Sequence, residues 1–384
     1  MTEQGLHIAM FTPWRARCGI SDYSRNLVVA TESRDDVSAV RIVDAPEDAA
    51  RDGLLNALRS HAANEARFRV LGEQMNSDGP TVAHVQHQYF FFGGVAPYRN
   101  HARAFLSAVR VPLVMTVHEI ADPERSSSFV KRWALGITNR ANFLHPAIGR
   151  LIVHTYLDRQ RLVALGVTAE RINVIPVGVP SAEPMPDSGT AKQDLGLTGR
   201  RVVTLFGFLS AKKGHRLAIE ALKHLPDDVI LLFAGSRHPD DHTDYVERLR
   251  AFAEESGLAE RVRITGYLPE AQIPVVMAAT DVAVTPFIQS SGSASLAHLF
   301  AYGRAIVASD IAPHREIIAN EGECLALFRS EDASELAAAV RNVLDDLPRR
   351  EKLQAAALRY AERHSYDKVA TATVEIYKRI VQTF

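Results

Sequence analysis

Short apolar runs alternate with amphipathic stretches along almost the whole chain. The runs fall at 7–11, 82–87, 113–118, 151–154, 174–176, 202–206, 229–234, 262–265, 282–285 and 305–308. Each is rich in Val, Ile and Leu and stops at Gly, Pro, His or a polar turn. A strand covered by helices on both faces reads this way, whereas a half-exposed strand alternates. The segments between them, 215–225 and 244–256 included, carry helical periodicity. The pattern predicts an α/β fold with parallel sheets. One stretch breaks it. Residues 180–190 hold Pro180, Pro184 and Pro186 and show no period. Proline blocks helix and central strand alike, so a linker is expected there. The expected domains are 1–183 and 195–364, joined by a linker at 184–194. A last helix follows at 365–384. In it Val369, Thr373, Ile376, Tyr377 and Ile380 recur at spacings of three and four and form one apolar stripe.

Composition removes several function classes. Lys and Arg number 44 against 45 Asp and Glu, a net charge of −1, which excludes a charge-driven nucleic-acid binder. Two distant cysteines, Cys18 and Cys324, build neither a disulfide framework nor a cysteine zinc site, so a reducing cytoplasm is expected. No apolar run reaches the roughly 18–20 residues that span a bilayer. The first residues lack the basic and apolar regions of a signal peptide. Peripheral contact with a membrane stays open.

Open parallel sheets bind ligands at the carboxyl ends of their strands, so the loops after the runs are the places to search. Phe206-Gly-Phe-Leu-Ser-Ala-Lys-Lys-Gly214 joins a run to a helix. Its glycines allow close approach, Lys212 and Lys213 bring charge, and the next helix turns its free N–H groups back on the loop. A diphosphate fits such a loop; a solvated turn with two surface lysines is the plain alternative. The loop after 282–285 carries Ser290, Ser291, Gly292 and Ser293, which either bind a polyol or phosphate or simply cap the helix that follows. His298 lies inside that helix, where a histidine is commonly just packed.

In the first half, residues 12–22 follow the first run and contain Arg15, Arg17 and Gly19. His118 ends the run at 113–118, well placed to donate into a cleft. His84 and His87 have a ligand-like spacing, but no carboxylate or cysteine accompanies them, so a metal site is the weaker reading. Phe90, Phe91 and Phe92 precede Gly93 and Gly94 and read better as core than as an acceptor lip.

In order along nearly the whole chain, these segments resemble the retaining, GT-B-fold glycosyltransferases of family 4. The opening loop through Ser24, the segment 84–91, Thr116-Val-His118, Val174-Ile-Pro-Val-Gly-Val179, the loop 207–214, Ile264-Thr-Gly-Tyr-Leu268, Asp281-Val-Ala-Val-Thr-Pro286 and Pro313-His-Arg-Glu-Ile-Ile318 carry the likeness. The resemblance implies two Rossmann-like domains facing across a cleft. The first would take an acceptor, the second a nucleotide-sugar donor, and the last helix would cross back to the first domain. It implies that Lys213 neutralises the diphosphate and that Gly19 lets the first loop close. It implies that His118 contacts the transferred sugar, that Tyr267 and Leu268 border the base, and that Glu316 reaches the ribose. Two positions depart from the family pattern. Its Glu-x7-Glu signature reads Ser290 and His298 here, and the arginine often found after the first loop glycine is Phe208. The serine loop and His298 are the available substitutes.

The expected activity is transfer of a sugar, a hexose by preference, from a nucleotide-diphosphate donor to a glycan, lipid or small-molecule acceptor. The expected route is front-face attack without a metal or other cofactor. Lysine and helix dipoles would hold the charge on the leaving group. A noncatalytic nucleotide-sugar or sugar-binding protein on the same fold is the rival, motivated by the missing carboxylates.

Overall fold

The computed structural model describes residues 5–46, 54–125, 128–237 and 243–384. All ten apolar runs overlap strands in it. Those of the first half are β1 (Leu6–Thr12), β2 (Val37–Asp44), β3 (Val82–His87), β4 (Leu113–Val117), β5 (Ile148–Val153) and β6 (Ile172–Val174). Those of the second are β7 (Arg201–Phe206), β8 (Val229–Ala234), β9 (Val262–Ile264), β10 (Val282–Thr285), β11 (Ile306–Ser309) and β12 (Ala326–Phe328). Among the described residues they build two parallel sheets, ordered β2-β1-β3-β4-β5-β6 and β12-β11-β10-β7-β8-β9. The chain forms two compact units, Met1–Gly178 with Tyr366–Phe384, and Val179–Ser365.

In the first unit alternate residues of each strand feed opposite faces of the sheet. Ala9 and Phe11 join Phe68, Phe92, Phe105 and Phe143 on one side. Ile8 and Met10 join Leu27, Val114 and Ile152 on the other. That second layer is completed by the last helix, Tyr366–Thr383, whose Val369, Ile376, Tyr377 and Ile380 are buried in it. In the second unit Val203, Leu205 and Phe233 meet Val340 on one face, while Val202, Ile230 and Leu232 meet Leu197 and Val276 on the other.

Three local differences from the sequence reading have physical causes. β2 and β12 were not expected. Both are edge strands; β2 is only partly buried, so it lacks a continuous apolar run. The strand expected at 174–176 ends at Val174; Ile175 still donates to the Val153 carbonyl, but Pro176 has no N–H to continue the ladder. The stretch expected as linker contains a helix, Ser188–Asp194. Asp187 caps it by accepting from the Thr190 N–H at 3.0 Å, and Ala191 anchors it in a small apolar cluster.

In each sheet the chain turns outward from its first strand in both directions. β1 lies between β2 and β3, and β7 between β8 and β10. The loops on either side of such a strand diverge at its carboxyl end and leave a crevice there.

Candidate active site

In the second unit the crevice lies beyond β7 and β10. Gly207 follows β7 at φ +101°, and Gly214 opens the helix His215–Leu222 at φ +74°. Both must be glycine for reasons beyond φ. A Cβ on Gly207 would stand 2.3 Å from Ser295 Oγ and 2.7 Å from Lys213 Nζ. One on Gly214 would stand 2.0 Å from the Pro286 carbonyl oxygen. The two loops are therefore pressed together, and the Ile288 N–H donates to the Lys212 carbonyl at 2.9 Å across the seam. Ser293 caps the helix Ala294–Ala301 by accepting from the Leu296 N–H at 3.1 Å.

Lys213 lies in this seam. Its ammonium donates to Ser295 Oγ at 2.7 Å and lies 5.8 Å from the centre of the Phe287 ring. It makes no ion pair among the described residues, and burial pushes its pKa down to about 8. A cation desolvated without a counter-ion, beside the first turns of two helices, is prepared for an anion.

The other expected residues of this unit are placed around the seam in different ways. Ser290 Oγ accepts from the Gly292 N–H at 3.4 Å, and Ser291 is half-buried beside them. His298 packs its ring against Phe206 with centroids 5.4 Å apart, and burial pushes it down to about 4, so it is neutral at pH 7. Phe208 is half-buried and Lys212 is exposed. Tyr267 is exposed after β9, while Leu268 packs against the Val202 cluster. Glu316 is half-buried on the helix Ala312–Glu321. Ser295, which holds Lys213, was missed. Its only signal is its place two residues after the cap, where a side chain can turn toward the preceding loop.

The first unit has its own set. Gly19 begins the helix Gly19–Glu32. The loop before it is pinned through Trp14, whose N–H donates to Asp44 Oδ1 at 2.8 Å and whose carbonyl accepts from Arg25 Nη2 at 2.8 Å. His118, just after β4, sits in a histidine network. His154 Nδ1 lies 2.9 Å from the Ile175 carbonyl, so that nitrogen carries the hydrogen and Nε2 accepts. Burial pushes His154 down to about 4 and His118 well below the usual imidazole range, so both rings are neutral. His118 then donates from Nδ1 to His154 Nε2, 3.2 Å away. Its Nε2 is left as an acceptor 2.8 Å from Gln86 Oε1, a contact satisfied when the amide turns its nitrogen inward. Tyr23 packs edge-on against both rings. Gln86, His154 and Tyr23 were not expected, since nothing local marks them.

His84 and His87 do not form a ligand pair. Three residues apart on one strand, they point to opposite faces. His84 bonds Tyr377 Oη at 2.5 Å and Thr116 Oγ1 at 2.8 Å on one side. His87 stacks on Phe92 and accepts from Asn142 Nδ2 at 3.0 Å on the other. Of the three phenylalanines, Phe92 is core, Phe91 packs partly against it and Phe90 is exposed.

Two family models match the chain. Glycosyltransferase Family 4 matches residues 26–183, and Glycosyl transferases group 1 matches residues 187–360. The D-inositol 3-phosphate glycosyltransferase of Xylanimonas cellulosilytica is 27% identical over 313 residues, 76% of this chain and 71% of that one. The MMP alpha-(1->4)-mannosyltransferase of Mycolicibacterium hassiacum is 25% identical over 281 residues, 70% of this chain and 66% of that one. Among solved structures, Anabaena Alr3699/HepE in complex with UDP-glucose superposes with a TM-score of 0.72 at 20% identity, covering 98% of this chain and 99% of that one. At that identity the likeness is one of fold, and the fold is GT-B.

Proposed function

The chain belongs to the family 4, group 1 glycosyltransferases, and from that premise we propose that it moves a hexose from a nucleotide-diphosphate sugar to an acceptor hydroxyl with retention at the anomeric carbon. The observation that carries the reading is Lys213, desolvated and without a carboxylate partner at the crevice beyond β7 and β10. The UDP-glucose bound in the Anabaena structure supports a donor of this class.

In this reading the donor diphosphate lies on Lys213 and the first turns of helices His215–Leu222 and Ala294–Ala301. The bond between the anomeric carbon and the diphosphate oxygen breaks, and charge grows on the leaving phosphate. The lysine and the aligned N–H groups stabilise that charge without reorganising. The acceptor oxygen then bonds to the same face of the sugar, and its proton passes to the departing phosphate oxygen. Lysine and dipoles carry the charge, so the reading needs no metal. Ser290 to Ser293, with His298 and Glu316, hold the sugar and ribose hydroxyls. Tyr267, Leu268 and Phe208 border the nucleotide, Lys212 adds charge, and Gly19 lets the loop before its helix approach. His118 serves the transferred sugar once Gln86 yields its Nε2. No helix among the described residues is long and apolar enough to cross a membrane. Cys18 and Cys324 are not joined in a disulfide, which fits a cytoplasmic enzyme.

The test is a screen of UDP-, GDP-, ADP- and dTDP-hexoses by thermal shift, followed by release of the nucleoside diphosphate from those that bind. One base class should stabilise the protein, and the sugar product should keep the donor's anomeric configuration by NMR. Stabilisation by none of the four, or an inverted product, would overturn the reading.

A further inference from the structure

The helix Phe129–Phe143 is amphipathic in the wrong sense for a surface helix. Its inward arc is mostly polar and hydrogen-bonded. Thr138 Oγ1 donates to the Val95 carbonyl at 2.8 Å. Asn139 donates to the Ala121 carbonyl at 2.8 Å and accepts from Tyr89 Oη at 2.6 Å, and Asn142 bonds His87. Its outward arc is apolar. Phe129 is 73% exposed, Val130 70%, Trp133 64% and Ile137 37%. At about 100° per residue these four share a stripe roughly 100° wide and about 12 Å long. The hydrogen bonds to Thr138, Asn139 and Asn142 fix the roll of the helix, so it cannot turn to bury the stripe.

The charges beside the stripe are of one sign. The helix carries no Asp or Glu; Arg140 projects within the stripe and Arg132 lies about 60° from its edge, while Lys131 lies on the opposite side. Glu124 is the nearest acid in sequence, in the short turn Pro123–Arg125 that packs on the helix.

We propose that this face docks on an anionic lipid surface, with the aromatic and aliphatic stripe entering the headgroup boundary and Arg132 and Arg140 held at the phosphates. Aromatic and basic residues without acids are what such an interface selects. A second copy of the chain is the poorer occupant. A two-fold contact through the stripe would bring the Arg132 and Arg140 pairs of both copies into one interface with no acid of the helix between them. The helix belongs to the first unit and the proposed donor loops to the second, and vesicle binding is measured without donor, so failure here and failure of the transferase reading are separable.

The chain has two tryptophans, Trp14 and Trp133. In a Trp14→Phe background the emission therefore reports Trp133. Vesicles of phosphatidylcholine with phosphatidylglycerol, without donor, should shift that emission to the blue and sediment the protein; phosphatidylcholine alone should do neither. Each of Arg132→Gln and Arg140→Gln should weaken partitioning about fivefold, whereas Lys131→Gln, on the opposite side, should change it little. Phe129→Ser with Trp133→Ser, assayed by sedimentation, should abolish binding and keep the wild-type melting temperature. No sedimentation of the wild type with anionic vesicles at low salt would overturn the proposal. So would binding by the Arg132 and Arg140 variants equal to wild type, or self-association without lipid that Phe129→Ser removes, which would give the face to a second copy.

Discussion

Replacing Lys213 with methionine should stabilise the donor-free protein and nearly abolish transfer. The change keeps the length of the stem and removes only the ammonium. Burial lowers the Lys213 pKa from 10.5 to about 8. A gap of about 2.5 units, at about 1.4 kcal/mol each, puts an upper bound of about 3.5 kcal/mol on the cost of holding the charge at neutral pH. The side chain is partly open to solvent, so about 1–2 kcal/mol is the working figure. The sign follows from proton counts. An unfolded chain keeps this lysine protonated up to about pH 10.4, so between about pH 8 and 10.4 the unfolded state binds more protons and stability rises with pH. Below pH 8 both states are protonated and the cost stands in full. Urea unfolding at pH 7 should therefore show the variant more stable than wild type, with the difference shrinking at pH 9.5. Turnover should fall by about 10²–10³, the usual loss for one preorganised donor at a developing anion. Donor binding should also return the ammonium toward its ordinary pKa. At pH 8 the wild type should take up about half a proton, read from the dependence of binding enthalpy on buffer, and the variant none. A variant no more stable at pH 7, or one within tenfold of wild-type turnover, refutes the argument.

Three further outcomes are expected. Gly207→Ala should remove donor binding while the protein still folds, because the new methyl displaces Ser295 Oγ and Lys213 Nζ rather than the core; donor titration and a melting curve check both. His298→Ala should raise the donor dissociation constant several-fold and leave acceptor affinity alone, because a neutral imidazole offers one donor and one acceptor; an unchanged donor affinity would show the ring only packs on Phe206. The first unit should lose stability in mild acid. His84 and His87 are held down to about 3 and His154 to about 4, against about 6.5 unfolded, so the unfolded state binds more protons below about pH 6.5. Each contributes a slope of up to about 1.4 kcal/mol per pH unit from there toward its folded value, and denaturation midpoints that stay flat from pH 6.5 to 5 would contradict this.

Some of this was legible in the sequence because it depends on neighbours a few residues away. A run of Val, Ile and Leu ended by Gly or Pro specifies a buried strand, and β1, β3 and β7 to β11 were readable so. The spacing of Gly207, Lys213 and Gly214 specifies a tight, charged strand-to-helix loop, and the stripe from Val369 to Ile380 specifies a helix with a buried face. What stands across from each of these depends on chain folding over long separations, which local pattern does not encode. Ser295 meets Lys213 across 82 residues. Tyr377 meets His84 across 293. Gln86 and His154 reach His118 only because β3, β4 and β5 pair in register. β2 stayed hidden because an edge strand needs no continuous apolar run, its outer groups being satisfied by water. The outward stripe of helix Phe129–Phe143 shows the limit most plainly. Its periodicity alone predicts an apolar face turned to the core, and only the hydrogen bonds of Thr138, Asn139 and Asn142 decide that this face turns to solvent instead.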